Sequence, residues 1–335
     1  MKLKYYVGFR ILMIIPTLLI ILTLVFFIMH VLPGDPVRIM WGEEIPDTII
    51  EEIRHNLGLD RPIHIQYIEY LKKFIRGDFG TSYRYKVSVL DKVKEVWPTT
   101  LEITIGGILL SIIMGIPLGI ICALRKGGII DQVTRIFSLY LYSNPSFWLA
   151  LILQIYLGLT WGLLPTSGRC SLSYDIPRVT GMITIDSIMA LNFRALFENL
   201  RYLIMPWLTV ALVRMPRYAR ISRASLLNVL GEDYIITARA KGVRERTVII
   251  KHALRNAILP IITMLAGSFV WLLGGTVFIE MIFSQPGMGR LLLEGLRGRD
   301  FNMIQGIVAI YAIIVVGLNT VVEVIYAVAD PRIKY

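Results

Sequence analysis

The sequence predicts an all-α, polytopic membrane protein with six transmembrane helices and an extracytoplasmic helical insertion after the first span. Three observations carry that prediction. Of 335 residues, 55% are hydrophobic and only 18% charged, with mean hydropathy +0.64, where soluble domains carry roughly 25% charge. Five runs, at 11–34, 103–124, 136–168, 256–279 and 301–322, hold no Asp, Glu, Lys or Arg for at least 22 residues. A helix needs about 20 apolar residues to cross a bilayer, where lipid offers backbone amides no partner outside the helix itself. The third observation is that basic residues segregate by loop.

The first span, about 9–32, follows Lys2, Lys4 and Arg10 as a signal peptide would, but its 24 uncharged residues exceed a cleavable core and no A-x-A site follows. It is expected to be an uncleaved anchor. In the insertion, 33–100, Ile49, Ile50, Ile53 and Leu57 repeat at helical spacing before Gly58. Ile63, Tyr67, Ile68, Leu71, Phe74 and Ile75 follow Pro62 and stop before Gly77. These are two amphipathic helices, either capping the span ends or docking a partner. Further spans are expected at about 101–124 and 136–160, with Trp161-Gly162-Leu163-Leu164-Pro165 as an interfacial exit.

The span at 198–216 is the short one, with only 12 uncharged residues between Arg201 and Arg214. Topology requires it. With spans at 257–281 and 302–329 completing the set, it puts the N-terminus, the loop 125–135, the segment 214–255 and the C-terminal tail on one side. Those four carry 18 Lys and Arg, against six in the opposite loops 161–200 and 282–300. The positive-inside rule then makes both termini cytoplasmic, in a multi-pass cell-membrane protein. The insertion, with ten basic and eleven acidic residues, is near neutral, so the net +11 reflects topology and not a nucleic-acid surface.

Cys122 and Cys170 are expected near opposite membrane faces, without a disulfide, and four scattered histidines supply no metal or nucleophile constellation. The informative segment is the cytoplasmic loop, 217–256. Gly231-Glu232-Asp233 opens a helix with acid at its positive end, and Arg239 and Lys241 close it with base at its negative end. Gly242 supplies a C′ residue free to turn left-handed. A second helix, with Val248, Ile249, Ala253, Leu254 and Ala257 on its apolar side, is expected to end at Leu259-Pro260. Such a capped hairpin suits transmission of force to a soluble partner.

Here the sequence resembles the dipeptide/oligopeptide permeases of ATP-binding-cassette importers. The resemblance rests on Glu232-Asp233-Tyr234-Ile235-Ile236-Thr237-Ala238-Arg239-Ala240-Lys241-Gly242, followed by His252-Ala253-Leu254-Arg255-Asn256-Ala257 and Pro260. Also similar are Leu32-Pro33-Gly34-Asp35-Pro36, Leu57-Gly58-Leu59-Asp60-Arg61-Pro62, Gly77-Asp78-Phe79-Gly80 and Pro145-Ser146-Phe147-Trp148. Leu164-Pro165-Thr166-Ser167-Gly168-Arg169, the stretch from Glu280 to Gly289 and Asp330-Pro331-Arg332 complete the set. The sequence departs from the broader importer pattern in two ways. Ile236-Thr237-Ala238 stand where that pattern has E-A-A, and Pro260 lies eighteen residues after Gly242, as in the peptide branch.

The resemblance implies a permease subunit, not itself an enzyme, paired with a second homologous permease, two cytoplasmic ATPases and an extracytoplasmic solute-binding protein. It implies ATPase coupling through Glu232, Asp233, Tyr234, Thr237, Ala238, Arg239, Ala240, Lys241 and Gly242. ATP and Mg²⁺ would sit on the partner subunits. Independently, the sequence holds no G-x-x-x-x-G-K-[ST] phosphate cradle and no Gly-Lys dipeptide, and no cofactor is expected in this chain. Related permeases carry peptides, oligosaccharides or nickel chelates, and di- and oligopeptides are the expected solute. A stand-alone secondary transporter or channel would need ion-coupling carboxylates at mid-membrane, and the acids here lie near span ends.

Among those charges, Glu102, Glu280 and Arg201 are expected near outer helix ends, snorkelling or capping, and Glu323 in a structural ion pair. Glu280 is also a pathway candidate, with Asn144 beside a Pro145 kink and Trp271. Arg214, Arg217, Arg220 and Arg223 spiral around their helix, and are expected to meet anionic headgroups or an ATPase.

Overall fold

Apolar runs without competing turn signals become helices throughout the computed structural model, which describes residues 3–31, 37, 46–56, 58–170, 176–268 and 275–329. Among these the regular elements are helical, with one isolated bridge between Thr81 and Ser88. Four helices are long and apolar enough to cross a membrane: Tyr5–His30, Val89–Leu124, Phe193–Leu230 and Phe301–Val324. A fifth crossing exists if Ile129–Ser143 and Ser146–Thr160 count as one span. The expected span at 257–281 is represented by helices on either side of residues 269–274, which lie outside the described residues, as does Trp271.

The chain divides into two units. Residues 1–97 and 287–335 form the first. In it α1 (Leu3–Val31) packs along the last long helix, Phe301–Ala329, and Arg10 pairs with Glu323 at 3.1 Å, the ion pair expected for Glu323. The short helices α2 (Asp47–Asn56) and α3 (Ile63–Ile75) fall where the periodicity placed them. Tyr67 of α3 bonds Thr23 of α1 at 2.6 Å and packs its ring against Phe26. The start of α4 (Val89–Leu124) buries Val89 and Val93 against Met288, Leu291, Met303 and Ile307.

Residues 98–286 form the second unit. Here α4 lies against α8 (Phe193–Leu230) along a line of glycines. A Cβ on Gly115 would lie 2.8 Å from the Met215 carbonyl oxygen, and one on Gly119 2.3 Å from that of Ala219. Two backbones this close admit no side chain, the small-residue packing typical of membrane helices. Between α4 and α8 in the chain lie α5 (Ile129–Ser143), α6 (Ser146–Leu153, continuing as a π-helical stretch to Thr160) and α7 (Ile183–Met189).

Helix ends differ from the expected spans in four places, each for a local reason. The expected span 136–160 is two helices meeting at 105°, with Asn144 in the extended conformation that a following proline favours, φ −97° and ψ 138°. The span expected at 198–216 belongs to a helix of 38 residues, since arginines after 213 end an apolar stretch without ending a helix. The second span's helix likewise starts at Val89, inside the expected insertion. The helix expected to stop at Leu259-Pro260 continues through Pro260 to Ser268.

Candidate coupling hairpin and translocation site

The hairpin begins where α8 ends at Leu230. Its first helix, α9 (Asp233–Ala240), is followed by α10 (Glu245–Thr247), a π-helical stretch Val248–Ala253 and α11 (Leu254–Ser268). Glu232 is the N-cap residue and Asp233 sits in the first turn, where negative charge meets the positive helix end. At the other end Gly242 adopts φ +72°. Its N–H donates to the Arg239 carbonyl at 2.9 Å and the Val243 N–H to the Ala238 carbonyl at 3.2 Å. That double closure is a Schellman cap, and it explains the glycine, because a Cβ in a left-handed turn costs roughly 1 kcal/mol or more.

The hairpin has one apolar side. Ile235 is fully buried with Ala123 of α4, Leu226 of α8, and Val248, Ala253 and Ala257. Two polar ties brace it further. Arg239 donates Nη2 to Glu245 Oε1 at 2.7 Å and Nε to Oε2 at 3.1 Å, which holds Glu245 below the usual carboxylate range. Asn256 Nδ2 donates to the Tyr234 hydroxyl at 2.7 Å. Glu232, Asp233, Tyr234, Thr237, Arg239, Ala240, Lys241 and Gly242 are exposed, and Ala238 is half-buried and packs against the core. The nine residues that the resemblance assigns to coupling thus lie together on one capped helix and the turn after it. Ile236, which the sequence analysis did not count among the coupling residues, is an apolar side chain 56% exposed on the same helix.

The translocation candidates sit elsewhere in the second unit. Asn144 terminates α5, its side-chain amide donating to the Tyr140 carbonyl at 2.6 Å. Glu280, on α12 (Val277–Ile282), is fully buried and accepts from Thr100 Oγ1 at 2.8 Å and Thr276 Oγ1 at 3.0 Å. Two motifs more than a hundred residues apart converge just beyond it. The Gly168 N–H donates to the Phe283 carbonyl at 2.8 Å, Gln285 Nε2 to the Gly168 carbonyl at 2.7 Å, and Gln154 Nε2 bridges the Thr166 and Ile282 carbonyls at 2.9 Å each.

Glu102 does not snorkel. It is 5% exposed and accepts from Arg169 Nη2 at 3.1 Å, Thr184 N at 2.6 Å, the Thr184 hydroxyl and Asn199 Nδ2 at 3.1 Å. These partners come from three distant segments, so no local pattern announced them. Arg223 has an intramolecular partner that the spiral did not suggest, since its Nε and Nη2 both donate to Asp131.

Residues 115–335 match the family described as the binding-protein-dependent transport system inner membrane component, and residues 3–104 match the N-terminal portion of such membrane components. The chain belongs to this permease family. Full-length relatives agree: a di/tripeptide transport system permease of Pseudomonas aeruginosa is 35% identical over 98% of both chains. A dipeptide permease of Haemophilus influenzae is 39% identical over 98% of this chain and 99% of its own, and a glutathione transport system permease of Salmonella choleraesuis 36% over the same shares. As a permease of this family the chain is an all-α, multi-pass membrane protein of an ABC importer, a class that works with ATPases and binding proteins. The convergence at Gly168 and Phe283 and the hairpin both lie inside the matched region.

Proposed function

We propose that this permease carries di- and oligopeptides into the cytoplasm by alternating access, as one of two homologous membrane subunits joined to two cytoplasmic ATPases and fed by an extracytoplasmic binding protein. One observation carries the reading. A self-capped helix is anchored through Ile235 and turns its charged residues and Ile236 outward. A partner that clamps such a projection moves α4, α8 and α11 with it, since all three contribute to the core under it. ATP and Mg²⁺ bind the partners, consistent with the missing phosphate cradle in this sequence. Both termini and the hairpin face the cytoplasm, and the names of the relatives point to peptide as solute.

In this reading Asn144, Trp271 and Glu280 belong to the pathway, with Glu280 exchanging Thr100 and Thr276 for a solute ammonium as the permease cycles. The test is reconstitution of the four-subunit complex with its binding protein in proteoliposomes. ATP-dependent uptake of a labelled dipeptide is expected, and selective uptake of an oligosaccharide or nickel chelate would overturn the solute assignment. Cysteines at Arg76 and Lys241 should react with impermeant reagents from opposite sides, the latter only from the cytoplasm. Labelling of both from one side would overturn the orientation.

A further inference from the structure

Arg214, Arg217, Arg220 and Arg223 advance three residues at a time along α8, and on an isolated helix they spread over half its circumference. In the second unit, however, all four line one cavity of about 910 Å³ between α5 and α8. Arg135 of α5 lines it too, and the acidic residue in its wall is Asp131. That carboxylate is committed to Arg223 at 2.7 and 2.8 Å, with Arg135 3.9 Å away. Among the described residues no carboxylate pairs with Arg217 or Arg220, both exposed.

The lining is also apolar in part, from both helices. Leu139, Tyr142, Val213 and Ile221 line the cavity. Along α5 beside it Ile136, Leu139 and Tyr142 are 71%, 68% and 74% exposed, as residues facing acyl chains are. A cavity lined by guanidiniums along α8 and by aliphatic and aromatic side chains of both helices, with exposed apolar residues of α5 beside it, matches one class of molecule, an acyl chain carrying a phosphate. Inorganic phosphate would satisfy the arginines and leave the apolar lining uncovered. An acidic protein segment would likewise leave unmatched the exposed aliphatic residues of α5.

We propose that the α5–α8 cavity is a binding site for the phosphodiester headgroup of an anionic phospholipid, with Arg217 and Arg220 as its principal phosphate contacts and Asp131 holding Arg223 in place beside them. A lipid seated there wedges between α5 and α8, the helix that leads directly into the hairpin. Bilayer composition thereby reaches the element proposed to couple ATP hydrolysis.

The experiment uses the full chain in its purified assembly. Native mass spectrometry in mild detergent, with titration of phosphatidylglycerol, phosphatidylcholine and inorganic phosphate in parallel, reads the occupant. Retention of phosphatidylglycerol and not phosphatidylcholine is expected. At about 1 kcal/mol per basic residue near the surface, Arg217→Gln/Arg220→Gln should weaken it about thirtyfold, while Arg54→Gln/Arg76→Gln, in the first unit, should not. Arg220→Gln alone, expected to weaken binding about fivefold, keeps the test sharp if the double variant assembles poorly. Undiminished phosphatidylglycerol binding by the double variant would overturn the proposal. So would full competition by millimolar inorganic phosphate, which assigns the site to a free anion, or protection of Arg217 and Arg220 from modification by a partner subunit alone.

Discussion

Arg223 holds Asp131 in a two-pronged grip, Nε to Oδ1 at 2.7 Å and Nη2 to Oδ2 at 2.8 Å. The carboxylate is 1% exposed, and its Oδ2 also accepts the Gly127 N–H at 3.0 Å, so one side chain ties the loop before α5 to α8. Asp131→Asn keeps the shape and removes the charge. A hydrogen bond to a charged group contributes roughly 1.5–3 kcal/mol, so the variant should lose about 2 kcal/mol of stability in detergent-solubilised protein. A cycle with Arg223→Gln checks the assignment: additive losses would show that the two residues do not act together.

The glycine line between α4 and α8 makes a sharper contrast. Gly119→Val forces a branched side chain into a site where even a Cβ meets the Ala219 carbonyl oxygen at 2.3 Å. Overpacking of this kind costs about 1–3 kcal/mol, and here it separates two backbones. Gly317, on the last long helix, has open space where a Cβ would stand, with nothing within 4 Å of it. Thermal unfolding midpoints should fall clearly for Gly119→Val and change little for Gly317→Val. Equal midpoints would remove close approach as the reason for glycine at 119.

Asp186 gives the pH dependence its sign. Burial pushes its carboxyl up, but Thr180 N and Oγ1 at 2.7 Å and Gly181 N at 2.9 Å donate to it and outweigh burial, holding it below the usual 3.8. A folded value below the unfolded one adds stability that is present above about pH 3.8 and lost as pH falls through the folded value. Thermal midpoints of wild type should therefore drop more steeply below pH 4 than those of Asp186→Asn. Parallel curves would show that this carboxylate is not ionised in the native state.

What could be read from the sequence was what is decided within a few residues. The Gly242 cap, the break at Asn144 and the two helices before Gly58 and Gly77 are local, set by missing Cβ atoms, a missing N–H and apolar spacing. The multi-span outline was legible because the bilayer imposes a length. Helix ends were not: charge marks where lipid stops, and α8 runs on through Arg214 to Leu230 because nothing in the backbone interrupts it. The Glu102 and Asp131 networks were hidden for a different reason. Their partners lie 67 to 97 and 92 residues away, and only packing brings them together. The arginine run was seen, but its cavity depends on α5, which no spacing on α8 reveals.

The hairpin as coupling element is the central claim, and Gly242→Asp tests it most directly. The substitution puts a side chain where φ is +72° and a negative charge at the negative end of α9, opposing the dipole by roughly 0.3–1 kcal/mol. No residue of the spans changes, and nothing lies within 4 Å of the added Cβ, so the fold beneath the hairpin is left intact. The measurement is recovery of the ATPase subunits on the tagged permease, made beside ATP-dependent dipeptide uptake by the same preparation. The variant should reach the membrane at wild-type abundance and lose most ATPase recovery and uptake together. Full ATPase recovery with uptake at the wild-type rate would contradict the account.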